Sequence, residues 1–448
     1  MSRPSLLERV GLGRPELRAW AMYDWAASSV QTTIMVAVFP IYFVKVAGAG
    51  IAESGATQRL ATINSVALVI IALASPLLGA ISDYRAAKKR LTAIFLGLGV
   101  IGCCGLFLVG SGDLDLASWL FIAIMVGVAG SYVFYEALLP HIAHPGEMDR
   151  VSTAGYAMGY LGGGVLLALN LAWIQKPALF GLPSGEGLAE SEATLPARLA
   201  FVSVAVWWAL FSIPLFRKVP EPPLRIEPDE QSGESPVRVA FVRLAETFRE
   251  LRSYRQAFLM LLAFLIYNDG IQTIIKMATA YGSEIGIDQS ALIGAILLVQ
   301  FVGIPCTFLF GTVAGRIGAK RAIFLGLVAY TAISILGYYM TTAAHFYALA
   351  GLVGIVQGGT QALSRSLFAS MIPQHKSGEF FGFFSIFEKF AGIFGPLIFA
   401  GTIAVTGSSR NAILSVIGFF AVGAALLALV NVEEGQRAAR EVEAELSR

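Results

Sequence analysis

The sequence predicts an all-α integral membrane protein in which twelve transmembrane helices form two pseudo-symmetric six-helix bundles. Three observations predict this. Apolar residues make up 56% of the chain and charged residues 14%, where soluble domains run near 45–50% and 25%; mean hydropathy is +0.70. Long uncharged stretches recur along the chain, and residues 91–109 as a helix would rise about 28 Å, close to the thickness of bilayer hydrocarbon. The two halves also share a spaced pattern. Pro76 precedes Ile94-Phe95-Leu96-Gly97-Leu98 by 18 positions, and Pro305 precedes Ile323-Phe324-Leu325-Gly326-Leu327 by the same 18.

Hydropathy places helices at 18–45, 57–82, 91–112, 116–140, 150–176, 197–216, 254–283, 289–315, 321–342, 345–371, 379–405 and 411–431. The segment before the first is polar and basic (Arg3, Arg9, Arg14, Arg18), and the apolar run after it is too long for a signal-peptide core. The first span is therefore expected to serve as its own uncleaved targeting signal. Spans two and three are joined by a basic loop (Arg85, Lys88, Lys89, Arg90), and spans eight and nine by another (Arg316, Lys320, Arg321). The alternate loops carry Asp113 and Asp115, or Glu284 and Asp288. Lys and Arg favour the cytoplasmic side, so both termini are expected there, as an even number of spans requires. Between the sixth and seventh spans lies a Pro-rich, charged stretch. The expected organisation is a bundle over 1–216, a cytoplasmic linker over 217–252, a second bundle over 253–432 and a charged, solvated tail over 433–448. Within the linker, apolar residues of 237–251 fall at helical spacing; a helix lying on the membrane surface and a short soluble helix are both open.

Several function classes are excluded. The net charge of +2 gives no reason to expect nucleic acid as a partner. Cys103, Cys104 and Cys306 lie in apolar segments, which disfavour thiolates, so neither a disulfide nor a metal site is expected. The four histidines form no HExxH pair, and the chain has no GxSxG elbow and no P-loop. No enzyme activity, cofactor or metal is expected. Six plus six helices with related halves is a repeat plan of secondary transporters.

The loop Gly79-Ala80-Ile81-Ser82-Asp83-Tyr84-Arg85-Ala86-Ala87-Lys88-Lys89-Arg90 resembles the loop between helices two and three of the major facilitator superfamily. Further strings are Tyr23-Asp24-Trp25-Ala26, Phe134-Tyr135-Glu136-Ala137-Leu138-Leu139-Pro140, the run Gly155 to Gly163, Tyr267-Asn268-Asp269-Gly270, the run Gln357 to Ser366, and Glu379-Phe380-Phe381-Gly382. These resemble the vacuolar-effluxer-like branch, relatives of the yeast autophagy-related amino-acid effluxer. The chain departs from that branch at Ala27 and Glu136, where relatives often carry Asn. The resemblance implies the major facilitator fold and, from the fungal members, amino-acid export.

Ionisable residues deep in a span need a partner or a water-filled cavity, since each costs about 2.5–3.5 kcal/mol to insert. Asp269 lies about 21 Å of helix beyond Arg255, near the midplane. It is the first candidate for a substrate ammonium or a proton, with Asn268 and Gln272 beside it; asparagine at 269 would then abolish transport. Its structural alternative is an ion pair with Lys276 or Lys389. Lys389 is a candidate for a substrate carboxylate. Glu388, next in the chain, should point about 100° away from it. Asp24 and Glu136 are candidates for titration during a transport cycle. Gln357 and Gln361, one turn apart, share a face that either lines the cavity or bonds between helices. The superfamily resemblance places Asp83 and Arg85 at an inner gate, with Asp83 facing a helix N-terminus. Arg365, at the end of the tenth span, could pair with an acid such as Glu136. Gly155, Gly159 and Gly163 recur every four residues, a spacing that lets helix backbones approach.

The favoured expectation is a secondary transporter of a small polar, amino-acid-like solute by alternating access, with protons as the candidate coupling ion. It would be monomeric, in a bacterial inner membrane, with its partners being the solute and the lipid bilayer. The alternatives are an exporter of amphipathic compounds and a membrane receptor or scaffold that does not transport.

Overall fold

The computed structural model describes residues 5–144, 146–224, 241–242, 254–391 and 394–445. Among them, twelve helical spans are long and apolar enough to cross a membrane. They are Pro15–Ala47, Gly55–Tyr84, Lys88–Leu108, Leu114–Ile142, Met148–Gln175 and Leu195–Lys218 in the first half. The second half has Arg255–Ala278, Gly294–Ile317, Ala319–Tyr338, Ala343–Ala369, Gln374–Thr406 and Ser409–Leu429. All twelve coincide with the runs read from hydropathy. Their outer faces carry Leu73, Ile101 and Val405, exposed apolar side chains that suit lipid contact.

The chain's chemistry explains the irregular places. Pro15 opens the first span, where its missing N–H has no helical partner to lose. Further along, Pro40 cannot donate to the turn before it, and residues 30–37 relax into wide π turns, with the Val38 N–H bonded to the Thr33 carbonyl at 2.8 Å. Pro76 and Pro305 each sit inside a span, at the matched positions of the repeat.

The eleventh span departs from the continuous helix expected over 379–405. It runs Ser377–Phe390, breaks at Ala391, whose backbone is extended, and resumes at Phe394–Thr406. In the sequence, Gly392 follows Ala391, and Pro396 lies in the first turn of the new segment. The proline is tolerated in the first turn of the new segment, where no helical N–H is required of it. The break leaves the backbone N–H of Gly395 pointing into the bundle, at the start of a helix.

The six spans of each half pack mainly on one another, and the halves meet along two seams. Span two packs on span eleven, and span five packs on spans eight and ten. Glycines let these backbones meet. A Cβ on Gly79 would stand 2.2 Å from the carbonyl oxygen of Gly378, and one on Gly311 would stand 2.2 Å from Oγ1 of Thr153.

Two connecting regions bear on the expectations. The tail is not simply solvated. Val432–Glu445 forms a helix that docks on the face of the bundle carrying both described ends of the chain, here the terminal face. The N–H of Gln374 donates to Glu443 at 2.8 Å, Gln256 donates to Glu434 at 2.9 Å, and Gln436 donates to Ser370 at 3.1 Å. Polar residues at helical spacing give the tail one face that can reach this loop, while its other charges stay in water. The helix expected over 237–251 lies outside the described residues except for Phe241 and Val242. At the start of that linker, Glu221 accepts the Lys89 backbone N–H at 2.9 Å, and burial pushes its carboxyl above the usual range.

Candidate functional site

The centre of the site is Arg365, a fully buried guanidinium held at the seam between the halves. Span ten carries it. Spans one, four and five of the other half supply its surroundings. Nε donates to Oγ of Ser152 at 2.9 Å and Nη2 donates to the Ser152 carbonyl at 3.0 Å. Nη2 lies 3.4 Å from Asp24 Oδ2, and Nη1 lies 3.5 Å from Glu136 Oε1. The Ser152 hydroxyl donates to the Ala362 carbonyl at 2.7 Å, so both its roles are used. Rings cover the guanidinium: Trp20 at 4.8 Å from its carbon to the ring centroid, Tyr156 at 4.5 Å. The Tyr135 hydroxyl donates to Asp24 at 2.8 Å, and Trp20 Nε1 donates to the Tyr135 carbonyl at 3.0 Å. Cation, anions and hydrogen bonds must all be present, because a charge removed from water here is costly unless paired.

The fifth-span glycines make room for this cluster. Gly155 lies so close that a Cβ would stand 2.5 Å from Asp24 Oδ2 and 3.2 Å from Arg365 Nη2. Gly159 faces Ser28, and Gly163 faces Thr32, whose hydroxyl donates to the Gly163 carbonyl at 3.2 Å. The repeat thus brings spans one and five together and leaves space for the buried charges.

Glu388 and Lys389 form the next layer, away from the terminal face. Side-chain exposure rises from 1% at Arg365 to 7% at Glu136, then to 20% at Lys389 and 27% at Glu388. Lys389 Nζ lies 2.8 Å from Glu388 Oε2. Helix geometry sets the two Cβ directions apart, as expected, but both side chains are long enough to swing back and meet. Both lie within electrostatic reach of Glu136.

Asp269 lies elsewhere. Buried to 1% exposure, it accepts the Gly395 N–H at 3.0 Å, at the start of the second segment of span eleven. An anion is favoured at a helix N-terminus. Lys389 pairs with Glu388 and not with Asp269. Beside Asp269, the Asn268 Oδ1 accepts from Gln361 at 2.6 Å, and Tyr267 and Ser364 share a hydrogen bond of 2.5 Å. These bonds tie span seven to span ten. The Nδ2 of Asn268 is buried and has no hydrogen-bond partner among the described residues. Gln272 and Gln357 are half-buried.

At the terminal face, Asp83 accepts two backbone N–H groups at the start of span eleven, from Gly378 at 3.0 Å and Glu379 at 2.9 Å. Lys88, itself buried, pairs with the same carboxylate. Arg85 does not join them: it caps the end of span two and is exposed. The helix turns out of its α conformation there, and Lys88, at the start of span three, is the cation that faces inward. Further bonds cross this face. Ser75 donates to the Gly382 carbonyl at 3.1 Å, His141 bonds Ser377 at 2.9 Å, Gln374 donates to the Pro140 carbonyl at 2.9 Å, and Ser366 donates to Asp149 at 2.6 Å. The halves are closed upon one another here.

Sequence reasoning passed over Trp20, Lys88, Tyr135, Ser152 and Tyr156. All five lie within, or a few residues from, strings that were singled out, but nothing in a string says which member turns towards a charge on another helix.

The sequence matches the family described as vacuole effluxer Atg22 like over residues 13–440. A Bacillus subtilis protein described as an uncharacterized MFS-type transporter, YxiO, is 35% identical over 417 residues, which cover 93% of this chain and 94% of that protein. Autophagy-related protein 22 of Yarrowia lipolytica is 27% identical over 320 residues, 66% of this chain; the match spans about half, 52%, of the fungal protein. Among solved structures, the major facilitator superfamily transporter FucP in its outward conformation superposes with a TM-score of 0.69 at 13% identity, covering 94% of this chain and 99% of that one. The proton:xylose symporter XylE gives 0.64 at 13% identity, covering 96% and 97%.

Proposed function

Because this chain belongs to the Atg22-like vacuole effluxer family within the major facilitator superfamily, we propose that the transport it performs is that of an amino-acid-like zwitterion by alternating access. It is a multi-pass membrane transporter. The observation that carries the finer reading is the juxtaposition of Glu388 and Lys389, 2.8 Å apart and partly open, within electrostatic reach of Glu136 in the buried Arg365 cluster. A free amino acid carries an ammonium and a carboxylate separated by one carbon. An anion and a cation side by side match both groups, and each charged hydrogen bond is worth about 1.5–3 kcal/mol. The name of the fungal relatives' family supports efflux as the direction.

With the basic loops on the cytoplasmic side, as the positive-inside tendency places them, the terminal face is cytoplasmic and the closed seam belongs to an outward-facing state. The membrane is then a bacterial plasma membrane and the functional unit one chain. In export, solute binds the Glu388 and Lys389 pair while the seam is open, the seam then closes, and the solute leaves through the opposite side.

The reading is tested by counterflow in proteoliposomes with each of the twenty radiolabelled amino acids. Exchange of at least one is expected, and Lys389→Gln is expected to raise its half-saturation concentration by about tenfold or more, the loss of one charged contact. Exchange of amphipathic cations alone would replace this reading with drug export. Saturable binding without exchange would replace it with a receptor.

A further inference from the structure

We propose that the Arg365 cluster is a proton-binding site that couples seam opening to proton movement, with Glu136 as the proton carrier. The inference rests on the alternating-access reading above and concerns the same seam.

Among the described residues, the charged groups within electrostatic reach of Glu136 are Arg365 of span ten, Asp24 of span one, and Glu388 and Lys389 of span eleven. Tyr156 of span five covers the guanidinium, Tyr132 and Tyr135 of its own span lie beside Asp24, and His141, five residues further along, is bonded to Ser377. The tyrosines are neutral hydroxyls in this setting. Among the described residues, the cations paired with Asp24, Glu136 and Glu388 are Arg365 and Lys389, so this set holds one carboxyl group more than it has cations.

The seam divides this set unevenly. Arg365 sits on the C-terminal half, and Asp24 and Glu136 sit on the N-terminal half. Separating the halves at the terminal face withdraws the guanidinium from both acids at once. Two carboxylates would then face each other in an apolar surrounding, and a proton on one of them removes the conflict. Asp24 keeps a second donor from its own half, the Tyr135 hydroxyl at 2.8 Å. Glu136 keeps none as near among the described residues: its cation contact is a single nitrogen at 3.5 Å, across the seam. Glu136 is also the member of the pair within electrostatic reach of the partly open Glu388 and Lys389. Protons can thus reach it from that side in the closed state and leave it through the terminal face in the open one. No bond to carbon forms or breaks. One proton binds a carboxylate oxygen on one side of the membrane and is released on the other.

The test needs no solute. Spin labels at Arg90→Cys and Arg316→Cys, both exposed at the terminal ends of spans in opposite halves, report seam opening as a distance in lipid nanodiscs; Cys103, Cys104 and Cys306 are replaced beforehand. Acidification from pH 8 to pH 5.5 is expected to enlarge the long-distance population, by at most about tenfold per pH unit for a single linked proton. Glu136→Gln is expected to hold that enlarged population at both pH values. Glu136→Asp is expected to keep the response. Distances that do not change with pH in the parent protein, or a Glu136→Gln variant that responds as the parent does, would overturn the proposal. If the protein exchanges amino acids and its distances ignore pH, the proton site alone is wrong. If distances follow pH and no amino acid is exchanged, the solute assignment alone is wrong.

Discussion

Replacing Arg365 with alanine is expected to cost about 3–5 kcal/mol of stability and to abolish transport. The stability loss follows from what stays behind: Asp24 and Glu136 remain buried after their shared cation is gone, and an unpaired buried charge is penalised far more than a pair gains. Trp20 and Tyr156 lose the planar group between them as well. The two effects separate in a combined variant. Arg365→Met with Asp24→Asn and Glu136→Gln removes all three charges while keeping similar volume, and it should recover most of the thermal stability without recovering exchange. Thermal unfolding and counterflow on the same preparations give both quantities. A combined variant as unstable as Arg365→Ala would mean that packing, not charge, makes this residue necessary.

The second large effect is expected at Asp269. Asp269→Ala should lower the exchange rate by about tenfold or more, through loss of a capping interaction of roughly 1 kcal/mol together with loss of position for the second segment of span eleven. Asp269→Asn should retain much of the rate, because an amide oxygen still accepts the Gly395 N–H. If Asp269 instead bound the ammonium of the solute, the asparagine variant would be as inactive as the alanine one. The ratio of the two rates separates an anchor from a ligand.

The spans were legible because bilayer thickness dictates their length, and a stretch such as 91–109 has few other uses. Asp83 was legible because an acid at the end of a span, before a basic loop, resembles a known gate. Arg365 was harder. One turn from the end of its span, it reads as ordinary positive-inside charge, and only the approach of spans one, four and five makes it a buried centre. Asp269 was placed at a buried depth by counting residues along its helix, and it is buried. Its partner was hidden because the eleventh span was read as one helix. Gly392, Gly395 and Pro396 were the signal for a break, but glycine and proline are common within membrane spans. The meeting of Lys389 with Glu388 escaped a helical-wheel argument, which fixes Cβ directions and says little about where four- and five-bond side chains end.

The central claim is that the seam seen closed must open in every cycle. A disulfide across it tests this most directly. A Cβ at 311 would stand 3.1 Å from the Thr153 Cβ across the seam between spans five and eight, and its nearest neighbours all belong to the Thr153 side chain, so cysteines at the two positions come within a few tenths of an ångström of disulfide spacing. In the protein carrying Thr153→Cys and Gly311→Cys, oxidation is expected to stop counterflow and reduction to restore it. Equal exchange by the oxidised and reduced forms, with the cross-link verified by mass spectrometry, would contradict the account.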